Sequence, residues 1–222
     1  MIYIFIIIDL ILFWFFGIIV GSIGIAITIL YVYLFATGIF GRIEFFKSTF
    51  FEGIAFLKDY NCPYSKLGQA FNEALQIINE MKLKEKGKEY SIIGIYYDKP
   101  GKSDTMRCSI GIYQKNSISQ EKPQKELEEL CISKGYNYCE LPNQSSLFCS
   151  WKYSNKLSMF YGIYKFNKEL KENLNNPEFK KNFKLNDKGF NYVIEVYEND
   201  SNIKFYVPLI DEEKFFFYKK DK

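Results

Sequence analysis

Residues 91–114 read SIIGIYYDKPGKSDTMRCSIGIYQ, two apolar stretches joined by a polar one. Residues 91–99 and residues 106–114 each have the length and the Ile and Tyr content that are typical of a β-strand. The Pro-Gly pair at 100–101 between them is a turn signal. The segment therefore predicts a β-hairpin, and the rest of the domain can be placed around it.

An amphipathic helix precedes this hairpin. The same order, a helix followed by two strands, recurs later in the chain, and we call each occurrence a round. Helical spacing links Leu67, Phe71, Leu75, Ile78 and Met81. In the second round a long helix carries Leu157, Phe160, Tyr161, Tyr164, Leu170 and Leu174, and the strands 191–197 and 203–210 follow it. Tyr96 and Tyr197 occupy matching places. We expect an internally duplicated α+β domain, with helices packed on one face of an antiparallel sheet and a ligand cleft between its halves.

Shorter elements lie between the two rounds. Leu127, Leu130 and Cys131 predict a short helix that Gly135 ends, and YNYCEL (136–141) and SLFCSW (146–151) predict short strands. Ser154 or Asn155 is expected to cap the long second helix.

The composition excludes several kinds of chemistry. The chain has no histidine, so it has neither a His-assisted nucleophile nor a His-ligated metal. Its five cysteines form no C-x-x-C pair and are expected to be buried reduced thiols, with neither a metal nor a cofactor. The net charge of +3, with acidic and basic residues interspersed, gives no nucleic-acid footprint. No carboxylate stands out as a general base, so we expect a protein that is not an enzyme.

The first 41 residues differ from the rest, because Asp9 is their only charged side chain. The uncharged stretch from Leu10 to Phe40 predicts a single transmembrane helix that anchors the protein, and a cleaved signal peptide is the alternative. Arg42 and other basic residues follow the stretch, which predicts a cytosolic C-terminal domain. The expected divisions are an anchor at 1–41, a domain at 42–210 and a short charged and aromatic tail at 211–222.

Two glycines in the apolar segment are candidates for helix association. Gly17 and Gly21 form G-x-x-x-G, a pattern that lets two membrane helices approach closely and dimerise. The alternative is that they are only the glycines that membrane helices commonly contain.

Three segments carry a resemblance to a known family. IYYDKP (95–100), MRCSIGI (106–112) and IEVYENDSNIKFYVPL (194–209), with the N-terminal segment and the two-round order, resemble the testis-expressed protein 264 family. The resemblance implies a single-pass endoplasmic-reticulum membrane protein with a cytosolic gyrase-inhibitor-like (GyrI-like) domain. It also implies an adaptor or receptor in selective autophagy of the endoplasmic reticulum, with an autophagosomal ubiquitin-like protein or a AAA ATPase as partner.

The tail departs from that family. The receptor role depends on a long acidic tail with an aromatic-x-x-aliphatic motif, and only residues 211–222 follow the domain here. Residues 206–209 fit the four-residue pattern but lie in a predicted strand. The resemblance therefore implies location and fold more directly than receptor activity.

A second hypothesis is a membrane-tethered sensor that binds a small hydrophobic or cationic molecule. The resemblance places Glu195 and Tyr197 in the inter-repeat cleft, where a carboxylate among aromatic rings would attract a cation. Trp151 and Tyr153 are candidate cleft walls, and core or rim positions are the alternative for both. For Glu195 the alternative is a solvent-facing position opposite a buried stripe of Tyr192, Ile194 and Val196.

Overall fold

The computed structural model describes residues 2–50, 52–81, 90–98, 104–115, 125–183, 185, 192–198, 201–209 and 217. The chain forms two compact units. The N-terminal unit comprises Met1–Arg42 and Lys152–Lys165, and the sheet unit comprises Ile43–Trp151 and Phe166–Lys222. The elements are α1 (Ile2–Ala36), β1 (Phe46–Phe50), β2 (Gly53–Cys62), a 3-10 turn (Tyr64–Lys66), α2 (Leu67–Glu80), β3 (Tyr90–Tyr96), β4 (Met106–Lys115), α3 (Lys125–Ser133), β5 (Asn137–Leu141), β6 (Gln144–Lys152), α4 (Lys156–Leu174), α5 (Pro177–Phe183), β7 (Val193–Glu198) and β8 (Asn202–Pro208).

The eight strands form one sheet in the order β1-β6-β8-β7-β3-β4-β2-β5. The pairings β1–β6, β2–β4, β2–β5, β3–β4, β3–β7 and β7–β8 are antiparallel. The order is symmetric about the β3–β7 pair: β2, α2, β3 and β4 form one half, and β6, α4, β7 and β8 repeat it. Each outer edge strand pairs with the half that is distant from it in sequence. β1 precedes the first half but pairs with β6 of the second, and β5 precedes the second half but pairs with β2 of the first. The predicted α+β fold with an antiparallel sheet is confirmed.

The helices cover one face of this sheet. Directly paired residues share a face, so Ile110, Gly94, Glu195 and Phe205 form a row across β4, β3, β7 and β8. From α2, Leu67 and Ala70 pack with Ile110. From α4, the Phe166 ring stacks on the Phe205 ring with centroids 4.2 Å apart. The central row therefore lies on the face that α2 and α4 cover, while Ile93, Ile95, Ile194 and Val196 belong to a separate cluster.

The predicted α2 helix is confirmed, but its buried stripe is displaced. The helix buries Leu67, Ala70, Ala74, Ile77 and Ile78. Leu75, which the spacing assigned to the core, is 37% exposed. The small side chains of the two alanines let the helix lie close to the sheet. The prediction used only the spacing of large apolar residues, so it did not include these alanines.

The short helix and the two strands that follow β4 also agree with expectation. In α3, Leu127 and Cys131 are buried, and Gly135 follows the helix with a φ of 83°. The predicted strands correspond to β5 and β6. The side-chain Oδ1 of Asn155 accepts a hydrogen bond from the Ser158 backbone N–H at 2.9 Å, which caps α4.

The N-terminal segment forms a helical hairpin. Gly17 interrupts α1 with a φ of 81° and a ψ of 179°, and the two arms, residues 2–16 and residues 18–36, run back along each other. Their contact is close, since a Cβ on Gly21 would lie 2.7 Å from the Phe13 Cα. Nearer the open end, the rings of Phe5 and Tyr31 are 5.5 Å apart.

Of the helices that the described residues form, none has both the length and the apolar character needed to cross a membrane.

The expectation of one continuous helix through Leu10–Phe40 is wrong. A positive φ is a conformation that glycine adopts at little cost, so Gly17 reverses the direction of the chain inside the apolar stretch. Gly21 then contacts the preceding arm of its own chain. Whether Gly17 and Gly21 also serve association between copies stays a prediction.

Two expectations lie outside the described residues. The Pro-Gly turn at 100–101 is one, although the strands on either side of it, β3 and β4, pair as predicted. The tail at 211–222 is the other, apart from Phe217, whose backbone N–H donates a hydrogen bond to the Tyr97 hydroxyl at 3.3 Å.

Candidate functional site

Glu195 is a buried acid at the centre of the sheet. It lies on β7, pairs across the β3–β7 junction with Gly94, and is 4% exposed. Both neighbouring strands are inner strands, so its backbone position is fixed on two sides. The alternative in which Glu195 faces solvent does not hold, because β7 is buried on both faces. Ile194 and Val196 fill the face of β7 that is opposite to Glu195.

Two tyrosines hold the carboxylate. The Tyr197 hydroxyl donates a hydrogen bond to the Glu195 Oε2 at 2.5 Å. The Tyr96 hydroxyl is hydrogen-bonded to the Glu195 carboxylate as well. Burial, followed by the nearby carboxylate, raises the pKa of both phenols well above its usual value, so both hydroxyls keep their protons. The carboxylate therefore has two neutral hydroxyl donors.

The environment makes Glu195 a weaker acid than an ordinary glutamate side chain. Burial raises its pKa from 4.5 to about 7, and the hydrogen bonds from Tyr197 and Tyr96 oppose that shift. The main cause is desolvation, since a buried carboxylate loses the water that stabilises its charge. Near neutral pH the protonated and ionised forms are therefore both populated.

Among the described residues, Glu195 has no cationic partner. Within the described part of the chain, no Lys or Arg forms an ion pair with Glu195, whereas Asp98 is paired with Arg107 at 2.7 Å. A buried carboxylate without a cation is costly in its ionised form. Either a proton or a positively charged ligand can relieve that cost.

Two further aromatic residues lie near the acid or its tyrosine partner. The Phe71 ring on α2 meets the Tyr197 ring edge to face at 4.9 Å. Tyr64 lies in the 3-10 turn before α2 and is 45% exposed. Burial and then the Glu195 carboxylate raise the pKa of the Tyr64 hydroxyl, which places its ring near the acid. Tyr64 is thus more exposed than Phe71, Tyr96 and Tyr197.

Gly94 contributes by its missing side chain. A Cβ there would stand 3.1 Å from the Tyr96 hydroxyl oxygen, closer than an ordinary contact. Glycine at this position leaves Tyr96 free to turn its hydroxyl toward Glu195. We call Glu195, Tyr64, Phe71, Tyr96 and Tyr197 the acid–tyrosine cluster.

The structure joins two of the four predicted ligand residues. Glu195 and Tyr197 are in direct contact. Trp151 is 4% exposed in β6, which β8 separates from β7, so it is a core residue. Tyr153 is half-buried and belongs to the N-terminal unit.

Sequence reasoning missed three members of the cluster, Tyr64, Phe71 and Tyr96. Phe71 had been assigned to the core stripe of the helix. Tyr96 carried a usable signal, because the internal repeat matches it with Tyr197.

The buried cysteines are unsuited to nucleophilic chemistry. All five are free, and Cys108, Cys131 and Cys149 are buried. Burial raises the pKa of the Cys108 thiol to about 12 and that of Cys131 to about 12, so neither forms a thiolate at neutral pH. Among the residues that the structure describes, no group of acids and cysteines is arranged to hold a metal ion.

Comparisons with known proteins place the fold among solved structures. No protein-family model matches the chain, and no curated protein matches it. The chain is similar to the C-terminal domain of EcmrR, with 14% identity over 75% of this chain and 96% of that one and a TM-score of 0.42. It is similar to SAV2435 bound to tetraphenylphosphonium, with 10% identity, 78% and 98% coverage and a TM-score of 0.41. A hydrolase from Listeria innocua has 11% identity, 76% and 92% coverage and a TM-score of 0.43.

These likenesses are distant. Identities and TM-scores at this level transfer neither a ligand nor an activity to the chain. The resemblance to the testis-expressed protein 264 family stays a prediction, as does the GyrI-like assignment that it implies. The functional argument rests on the acid–tyrosine cluster itself.

Proposed function

We propose that the sheet unit is a non-enzymatic binding module of GyrI-like type, and that it takes a small apolar molecule with a positive charge at Glu195. The observation that carries this proposal is a buried carboxylate with two tyrosine donors and no cationic side chain paired to it in the described residues. The endoplasmic-reticulum location implied by the resemblance stays a prediction.

The charge of the ligand follows from the acid. A cation beside Glu195 would stabilise the ionised form that burial disfavours, and in a desolvated site that attraction is stronger than in water. A neutral molecule would leave the carboxylate to take up a proton instead. The site therefore selects for positive charge by relieving an existing electrostatic cost.

The apolar character of the ligand follows from the rings. Phe71 and Tyr197 are in edge-to-face contact, and the half-exposed Tyr64 lies near the acid. Aromatic faces attract a cation and also cover hydrocarbon or aryl groups. A strongly hydrated cation such as an amine without apolar groups would keep its water and bind weakly.

Tetraphenylphosphonium is a suitable probe, because four phenyl rings carry its charge into an apolar site. We expect titration calorimetry on the full chain at pH 8 to show binding that Glu195→Gln weakens about tenfold or more. Glu129→Gln, at an exposed position on α3, is the matched control and should bind as the unmodified chain does. Equal affinity in the Glu195→Gln variant and the unmodified chain contradicts the proposal.

Two further comparisons isolate the role of charge. Triphenylphosphine oxide has similar rings without the charge and should bind more weakly than the cation. Since the pKa of Glu195 is about 7, the ionised fraction rises from pH 6 to pH 8, and the affinity for the cation should rise about tenfold. A flat pH profile, or tighter binding of the neutral compound, would show that Glu195 does not set the specificity.

The adaptor or receptor role in selective autophagy is the other hypothesis, and it stays a prediction. A pull-down of the autophagosomal ubiquitin-like protein with the full chain tests it directly. Binding that a Tyr206→Ala and Leu209→Ala double variant abolishes would support residues 206–209 as the docking motif. Absence of binding by the unmodified chain would remove the direct receptor role.

A further inference from the structure

The helical hairpin exposes large apolar side chains around its whole circumference. Trp14, Phe15 and Ile18 are 85%, 74% and 73% exposed, and Tyr3 at the other end of the first arm is 81% exposed. The residues from Tyr3 to Ile8 are consecutive in the first arm, and each of them is at least 39% exposed. Neighbouring residues of a helix point about 100° apart, so the side chains of such a run point in every direction around the helix. A helix that is apolar all round belongs in a large protein core or in a membrane.

Asp9, Ser22 and Thr28 find hydrogen-bond partners within the hairpin. The Thr28 hydroxyl donates a hydrogen bond to the Asp9 Oδ2 at 2.5 Å, from one arm to the other. The Ser22 hydroxyl donates to the Ile18 carbonyl at 2.7 Å. Hydrocarbon offers no partners to polar groups, so internal pairing of this kind is what a lipid environment requires.

The hairpin is also dimensioned for a bilayer. At a rise of about 1.5 Å per residue, residues 2–16 reach about 22 Å and residues 18–36 about 28 Å, against a hydrocarbon thickness of about 30 Å. The turn at Gly17 is the far end of both arms. A hairpin of this length reaches the bilayer interior and returns to the surface that it entered.

The remainder of the N-terminal unit has the properties of a membrane-surface element. The first half of α4 exposes Leu157, Phe160 and Tyr164, which lie three and four residues apart and so share a face. The α4 segment is tied to the second arm, because the Asn155 Nδ2 donates a hydrogen bond to the Tyr33 hydroxyl at 3.2 Å. Aromatic and apolar residues on one helix face suit the interface between lipid and water.

The charges of the N-terminal unit favour an anionic surface. Apart from Asp9, which lies between the arms, its charged side chains are Arg42, Lys152, Lys156 and Lys165, all of them basic. The Lys165 ammonium donates a hydrogen bond to the Gly41 carbonyl, at the end of the second arm. Basic residues near a membrane surface attract the phosphate groups of anionic lipids.

We propose that the N-terminal unit is a monotopic membrane element. The hairpin inserts from one side of an anionic bilayer with Gly17 at its deepest point, and the exposed face of α4 lies in the headgroup region. The N-terminus and the chain beyond residue 42 therefore remain on the same side. This inference is independent of ligand binding by the sheet unit.

Sided proteolysis of single molecules tests this topology. The full chain, with a site for one specific protease added at each end, is reconstituted into sealed vesicles of phosphatidylcholine and phosphatidylglycerol and treated from outside. A monotopic hairpin gives molecules cut at both ends or at neither, whichever way they insert. Molecules cut at one end only would show a single-pass helix and overturn the proposal.

Substitution of the turn residue sharpens this test. A side chain at Gly17 meets open space but requires a φ of 81°, so Gly17→Leu strains the backbone without a clash. We expect the fraction of molecules cut at one end to rise at least threefold as the helix straightens. Gly68→Ala is the control, because Gly68 also faces open space but has no positive φ. Equal fractions in the two variants would overturn the role of Gly17 as the turn.

The depth of Trp14 provides a measurement on a chain with an unchanged hairpin. In a Trp151→Phe background Trp14 is the only tryptophan. We expect lipids brominated deep in the acyl chains to quench its fluorescence at least twice as strongly as lipids brominated near the headgroup. The opposite order would overturn the proposal, and so would a chain that forms a discrete oligomer and does not float with vesicles.

Discussion

Asp9 and Glu195 are two acids in apolar surroundings that differ in their hydrogen bonds and in their burial. Asp9 joins the two arms of the hairpin through a single hydroxyl, that of Thr28, and remains partly exposed. Glu195 lies within a continuous sheet, is almost wholly buried and receives two tyrosine hydrogen bonds. The hydrogen bond of Asp9 joins the two arms of the hairpin. The strands around Glu195 are joined by backbone pairing, which does not involve its carboxylate. The proposed ligand site thus uses a polar group that does not join the strands of the fold.

The largest effect that separates the two acids is the pH dependence of stability. The pKa of Glu195 rises from 4.5 to about 7 on folding, so between these values the folded state binds more protons than the unfolded state. The free energy of unfolding should therefore fall as pH rises from about 4.5 to about 7, by about 3 kcal/mol, and then level off.

Urea unfolding of the full chain in detergent measures this fall. In a Trp14→Phe background, fluorescence of the buried Trp151 reports the sheet unit alone. Glu195→Gln should flatten this part of the profile, while Glu129→Gln should retain it. A profile that stays unchanged in Glu195→Gln would mean that another group causes the dependence.

A smaller effect is expected from one tyrosine hydroxyl. Tyr197→Phe removes the 2.5 Å hydrogen bond to Glu195, which favours the ionised carboxylate. The variant should lose about 2 kcal/mol of stability at pH 8 and clearly less at pH 5, where Glu195 is protonated.

Tyr138→Phe is a close control for this change. It removes a hydroxyl that donates to the Glu140 carboxylate at 3.1 Å in an exposed position, and it should cost less than about 0.5 kcal/mol at either pH. Equal losses for Tyr197→Phe at the two pH values would show that the bond does not depend on the charge of Glu195.

The smallest effect is expected in the hairpin. Thr28→Val removes the donor to Asp9 but keeps the shape of the side chain, and it should destabilise the contact between the arms by about 1 kcal/mol. Titration of the detergent-solubilised chain with dodecyl sulfate, followed by Trp14 fluorescence in a Trp151→Phe background, measures that loss.

Thr37→Val is the corresponding control. The Thr37 hydroxyl bonds the Leu34 carbonyl of its own helical turn, so its loss should not separate the arms. A Thr28→Val variant no less stable than Thr37→Val would show that the Asp9–Thr28 bond does not hold the hairpin.

Much of the sheet unit could be predicted, because apolar residues recur at a different spacing in its helices and in its strands. The strands around residues 91–114 and the helix that begins at Leu67 carry different spacings of apolar residues, and the structure has both. The repeat of that order along the chain indicated the duplication, which the strand order reflects.

The hairpin could not be predicted in the same way. A run that is apolar at nearly every position has no period, so its sequence does not show where the chain reverses. Of the G-x-x-x-G pattern, Gly21 lies at a close contact between the arms and Gly17 forms the turn, and spacing alone does not distinguish a second copy from a second arm. Glu195 posed a similar problem: alternation along β7 assigns residues to two faces, and only the helices over the sheet determine that both are buried.

The exchanged edge strands affect how the sheet unit can be made. β1 is synthesised first, yet its pairing partner β6 belongs to the second round, and β5 of the later region completes the edge beside β2. Neither round can therefore finish its own sheet as it leaves the ribosome, and β1 must wait with an unpaired edge until β6 arrives. Long-range pairing of this kind slows folding. The duplicated halves are thus tied into one cooperative folding unit, and a fragment that contains one round alone would lack an edge strand of its own.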